Sequence, residues 1–139
     1  MTGAATMNGV TTGAAPPDWL SPAAGVDAPI AVPSGQLVTL LDVITYAPGP
    51  SGLAVRFRFV APAIARDTGN IDNETALDDM YELCQSYALP RVLGNTPMPD
   101  QIIISLSDRP VDFGVPTPEA TQFFEAYTIE DQTCIWEGF

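Results

Sequence analysis

Residues 73–90 read NETALDDMYELCQSYALP, and the fold turns on how this stretch is taken. Its apolar residues Leu77, Met80, Tyr81, Cys84, Tyr87 and Ala88 recur at helical spacing. Asp78, Asp79, Glu82, Gln85 and Ser86 occupy the opposite side. The stretch therefore reads as one amphipathic helix. Asp72 or Asn73 can cap its first turn, and Glu74 sits well against the positive end of the helix dipole. Pro90 is expected to end it, because a residue preceding proline avoids the α region. The helix carries Cys84, and the only other cysteine is Cys134, near the end of the chain.

Upstream, residues 36–46, QLVTLLDVITY, are apolar on both faces with Asp42 the exception, which predicts a central strand. A turn rich in Pro and Gly follows at 47–52. Residues 53–61 then alternate, with Val55, Phe57 and Phe59 inward and Arg56 and Arg58 outward, as the second arm of an antiparallel hairpin. Downstream of the helix, QIIISLS at 101–107 is the third strand. Asp108, Arg109 and Pro110 interrupt it, and 111–113 read as a short or bulged continuation. Residues 119–129 fit two patterns. Ala120, Phe123, Phe124 and Tyr127 have helical spacing, whereas Phe123, Tyr127 and Ile129 form one strand face. The reading adopted is a turn at 118–121 and then a hairpin whose second arm, 133–137, points Cys134 and Trp136 toward the helix. The fold class is α+β, one helix packed on an antiparallel sheet of about four to five strands. Residues 1–35, rich in Gly, Ala, Thr and Pro, read as a flexible leader with Trp19 and Leu20 as an isolated apolar pair. Residues 36–139 form a single domain.

Charge narrows the function classes. The chain has 17 acidic residues against 5 basic ones, all arginine, and no histidine, for a net charge of −12. Such a surface repels nucleic acid and anionic lipid. Without histidine or lysine there is no Ser-His-Asp triad, no Schiff-base or phosphate-loop lysine and no histidine-ligated metal. Two cysteines cannot build a four-cysteine zinc site. No apolar run is long enough for a membrane-spanning helix. The N-terminus lacks a basic n-region and a continuous apolar h-region, so the chain reads as a mature form or one with a displaced start.

The remaining candidates each have a plainer reading. Cys84 and Cys134 are either a disulfide or two buried thiols; a bridge is the expectation. It would close a loop whose chain entropy is worth roughly 4 kcal/mol, and it would imply an oxidising compartment. Arg56 and Arg58 share a strand face and can hold a carboxylate or phosphate, or can pair with the chain's own acids. Asp108 and Arg109, where a strand breaks, are either an acid–base pair or a local ion pair. The acidic group Asp67, Asp72, Glu74, Asp78 and Asp79 does not fit a calcium loop. Counting from Asp67 places Gly69 and Ile71 at ligand positions; counting from Asn70 places Tyr81 at the twelfth. No cofactor motif is readable.

Four pieces carry a resemblance: the strand and helix from Val55 to Leu89, ALPR at 88–91, IISLSDRPVDFG at 103–114, and PEATQFFEAY with CIWEGF at the C-terminus. Over residues 36–139 the chain resembles a family of small bacterial proteins of unknown function, usually exported and sometimes labelled acetolactate synthase. The resemblance implies export, hence a periplasmic or secreted location. The enzyme label conflicts with the chain, since acetolactate synthases are large thiamine-diphosphate proteins. The leading expectation is a non-enzymatic exported domain that binds or accompanies another protein. The alternative is a small-molecule-binding protein or carboxylate-based enzyme with a pocket where Asp108, Arg109 or Tyr127 converge.

Overall fold

The computed structural model describes residues 29–49, 52–93 and 98–137; most of the expected leader, with Trp19 and Leu20, lies outside them. The elements run β1 (Thr39–Gly49), β2 (Gly52–Val60), a short 3-10 turn (Pro62–Ile64), α1 (Asn73–Glu82), a π-helical segment (Leu83–Ala88), α2 (Leu89–Val92), β3 (Gln101–Ser107), β4 (Gln122–Glu130) and β5 (Thr133–Trp136). The strands form one five-stranded sheet in sequence order, and the helical run crosses one face of it, against β3, β4 and β5. The fold is thus α+β, one helical layer on one sheet.

Three of the four strand pairs are antiparallel, but β2 and β3 are parallel, with Val55 opposite Ile102 and Phe59 opposite Leu106. The cause is the connection. The helix lies between these two strands in sequence, and a strand–helix–strand crossover returns the chain in the same direction. The sheet is therefore mixed. β3 is its centre and is buried along its whole length. β1 is an edge strand, not the central one its apolar run suggested.

A bulge explains that run. Leu40 pairs with Phe59 and Asp42 with Arg58, so Leu41 is an extra residue in the register. Leu40 and Val43 consequently both face the core, and Asp42 is turned onto the arginine face. The β4–β5 hairpin closes between Glu130 and Thr133. Its two turn residues, Asp131 and Gln132, take φ of 51° and 60°, the left-handed pair that a two-residue hairpin needs.

The helix begins as its sequence indicates, with the Asp72 carboxylate accepting from the Thr75 backbone N–H at 2.8 Å. It does not end at Pro90. The Leu89 N–H reaches back five residues to the Cys84 carbonyl, and the chain continues helically to Val92. Proline normally breaks a helix by removing a donor and crowding the preceding turn. The widened π register relieves both conflicts, because carbonyls are then matched one residue out of phase. Asp79 is also displaced from the expected solvent side: it is fully buried.

The core joins Val55, Phe57 and Phe59 of β2, Ile102, Ile104 and Leu106 of β3, and Tyr127 of β4 with Met80, Leu83, Cys84, Ala88 and Leu89 from the helical run. Cys84 and Cys134 form a disulfide across this layer, with Cα atoms 6.3 Å apart. Residues 29–35, the end of the expected leader, lie on the body; Ile30 and Val32 pack against the core.

Candidate functional site

The sheet face away from the helix carries the polar side chains of β2 and β3. Arg56 and Arg58 stand on it beside Ser105, and on β4 Gln122 and Phe124 complete the row. The segment after β3 then folds over this face. Pro110 cannot donate to a ladder, and Gly114 turns the chain at φ 78°, so residues 111–113 form a loop wall and not the strand extension expected there. Together they enclose an open concavity of about 390 Å3 with Arg56 and Arg58 as its floor and Val111 to Pro116 as its wall.

The two arginines differ in their engagement. Arg58 is 4% exposed; it pairs through Nε with Asp42 at 3.3 Å and donates through Nη2 to the Val111 carbonyl. It therefore holds the loop wall to the sheet. Arg56 has no carboxylate or carbonyl partner among the described residues. Its guanidinium lies 5.4 Å from the Phe113 ring centroid and 5.7 Å from that of Phe124. Burial and the neighbouring Arg58 charge pull the Arg56 pKa down, but a guanidinium keeps its proton throughout the physiological range. Burial pushes the Asp42 carboxyl up, against the pull of Arg58. Phe113, Val115 and Phe124 are each more than half exposed and border the same concavity.

Asp108 and Arg109 lie elsewhere and do different work. The Asp108 carboxylate accepts from Arg109 Nε at 3.2 Å and Nη2 at 3.0 Å, and from the Thr121 backbone N–H at 3.0 Å. The Arg109 hydrogen bonds and the Thr121 N–H hold its carboxyl below the usual range. The pair fastens the exit of β3 to the entrance of β4. Tyr127 does not join it. Tyr127 pairs with Ile102 near the start of β3, six residues before Asp108, or roughly 20 Å along a strand. The expected convergence of Asp108, Arg109 and Tyr127 is not formed.

The loop wall is not legible in the sequence. Arg56 and Arg58 were visible as a pair, but nothing in the alternation showed that residues 111–116 would cover them. Phe113 and Gly114 were the available signal. An aromatic and a left-handed glycine just after a proline mark a loop that turns back. No group of three or more candidate metal ligands occurs among the described residues, and none of their helices is long and apolar enough to cross a membrane.

A family model covers residues 12–139, nearly the whole chain, and describes a family of unknown function (DUF6497), in agreement with the resemblance read from the sequence. No curated protein and no solved structure matches the chain.

Proposed function

The chain belongs to the family of unknown function DUF6497, and from its geometry we propose that it is a non-catalytic, exported binding domain. It engages a partner protein by holding an acidic side chain over Arg56, with the apolar rim of Phe113, Val115 and Phe124 packing around it. One observation carries the reading. Among the described residues Arg56 has no anionic partner, in a chain with 17 acidic residues, while Arg58 beside it is paired with Asp42 and the Val111 carbonyl. Arginine framed by exposed aromatic residues is the composition of an interface anchor. The rim supplies apolar contact, and the guanidinium supplies direction and charge. Export is supported by the Cys84–Cys134 bridge, since such bridges persist in oxidising compartments. A non-catalytic role is supported by the engagement of Asp108, whose carboxylate is taken up by Arg109 and Thr121.

The test is retention of envelope proteins from the source cell on immobilised wild-type chain and on Arg56→Ala and Phe124→Ser variants. The expected result is a defined partner held by the wild type, lost from both variants and released by raised salt. Equal recovery of the same proteins on all three would overturn the reading.

A further inference from the structure

On the helix side of the sheet, away from the arginine concavity, a second cavity of about 270 Å3 opens between α1 and the β4–β5 hairpin. It is lined by Leu77, Asp78, Tyr81, Tyr127 and Trp136. At roughly 30 Å3 per water, this is space for about nine water molecules. Aromatic rings form most of its wall. Tyr81 and Tyr127 have ring centroids 6.3 Å apart and are tilted by 59°. Trp136 is the cross-strand partner of Tyr127.

The rings are held in place by separate contacts. The Trp136 indole N–H donates to Glu125 Oε1 at 2.6 Å, and the Tyr81 hydroxyl donates to Gln85 Oε1 at 3.3 Å. The same Gln85 oxygen accepts the Cys134 backbone N–H at 3.0 Å. The disulfide joins the helix at Cys84, one turn from Tyr81, to β5 at Cys134, two residues from Trp136. The staple therefore fixes the distance between the two outer walls of the cavity.

Electrostatics select the occupant. Asp78 lies at the rim and Glu125 behind the indole, so the aromatic faces and both carboxylates present negative potential. No arginine lines the space. The chain's own arginines lie elsewhere: Arg56 and Arg58 stand on the opposite sheet face, Arg66 donates to the Pro118 carbonyl, Arg91 to the Tyr87 carbonyl and Arg109 to Asp108. Tyr127 is 1% exposed, and its hydroxyl has no hydrogen-bond partner among the described residues. Burial, Glu125 and Tyr81 all push its pKa up, so it stays a neutral donor. The hydroxyl is not one of the sealed, unpartnered polar atoms of the described residues; it opens to the cavity, where a ligand oxygen can reach it.

We infer that this cavity is a binding site for a small free organic cation, a quaternary ammonium group on a short tail bearing an oxygen. The alkylated head packs on Tyr81, Tyr127 and Trp136, Asp78 and Glu125 neutralise it, and the tail oxygen meets the Tyr127 hydroxyl. A bare metal ion does not suit walls made of rings, and an uncharged alkyl group leaves the carboxylates uncompensated. The site is independent of the proposed partner surface and stands or falls separately from it.

The experiment follows Trp136 fluorescence in the full chain with Trp19→Phe, titrated with choline and with its uncharged isostere 3,3-dimethylbutan-1-ol. The expected result is a saturable response to choline and a response to the isostere weaker by roughly tenfold or more. Tyr81→Leu is expected to weaken choline binding by roughly tenfold, and Asp78→Asn, at the exposed rim, by only about threefold. Circular dichroism establishes that each variant is folded, and Asp78→Asn keeps the side-chain shape. No saturable response, equal binding of the isostere, or a response to phosphatidylcholine vesicles without one to free choline would overturn the inference.

Discussion

Ser34 donates both its backbone N–H, at 3.0 Å, and its hydroxyl, at 2.5 Å, to the carboxylate of Asp79, 45 residues later in the chain. Gln36 adds its side-chain amide at 2.7 Å. A buried carboxylate on the helix thus ties down the segment that leads into β1. Removing it leaves those half-buried donors without their acceptor. Asp79→Ala is therefore expected to cost about 3 kcal/mol of unfolding free energy, and Asp79→Asn less, because the amide oxygen can still accept. Urea denaturation of both variants measures this, and a loss below 1 kcal/mol for Asp79→Ala would show that the tie is not stabilising.

The bridge between Cys84 and Cys134 spans a sequence separation of 50. Chain entropy for a loop of that length gives about 4 kcal/mol, a large share of the stability of a domain this size. Cys84→Ser with Cys134→Ser is expected to lower the urea midpoint sharply. Reductant should shift the wild type toward the double variant and leave the double variant unmoved. Coincident wild-type curves with and without reductant, with reduction verified by mass, would refute the claim.

How much of this was legible in the sequence depends on the range of the interaction. β3 was readable because its β-branched apolar run is a local signal, and the β4–β5 hairpin because alternation and turn residues are local too. The pairing of Cys84 with Cys134 followed from both lying on inward faces. The bulge at Leu41 was hidden, since one extra residue inside an apolar run leaves the pattern unchanged, and so Asp42 looked anomalous and β1 looked central. The parallel β2–β3 pair is implied by the element order, strand–helix–strand, but the residue pattern of either strand does not distinguish a parallel neighbour from an antiparallel one. Burial of Asp79 could not be read from helical periodicity, because its partners lie in the segment at 34–36. The separation of Tyr127 from Asp108 is set by strand register, which is invisible until the strands are paired.

Asp108 provides a pH signature. Hydrogen bonds from Arg109 and the Thr121 N–H depress its carboxyl pKa in the folded state. A group depressed on folding stabilises the protein above its unfolded value, near 3.9, and loses that contribution as pH falls through the folded one. Asp108→Asn should therefore be less stable than wild type at pH 7, with the gap narrowing below about pH 4. Asp72, also depressed by its Thr75 cap, remains in both proteins and cancels in the difference. A gap that is constant from pH 7 to pH 3 would exclude the ion pair as its source.

The two arginines of the open sheet face should separate stability from binding. Arg58 is buried against Asp42 and the Val111 carbonyl, so Arg58→Ala removes a wall tether and leaves a partly buried carboxylate unpaired. The expected loss is about 2 kcal/mol, since Asp42 stays open enough to water to recover part of its solvation. Arg56 gives up only its contacts with Phe113 and Phe124. Arg56→Ala should change stability by less than about 1 kcal/mol and also relieve repulsion from Arg58. Urea midpoints for the two single variants and the double variant test the asymmetry directly. If Arg56→Ala were the more destabilising, Arg56 would be acting as a structural brace, and its availability to a partner's carboxylate would have to be abandoned.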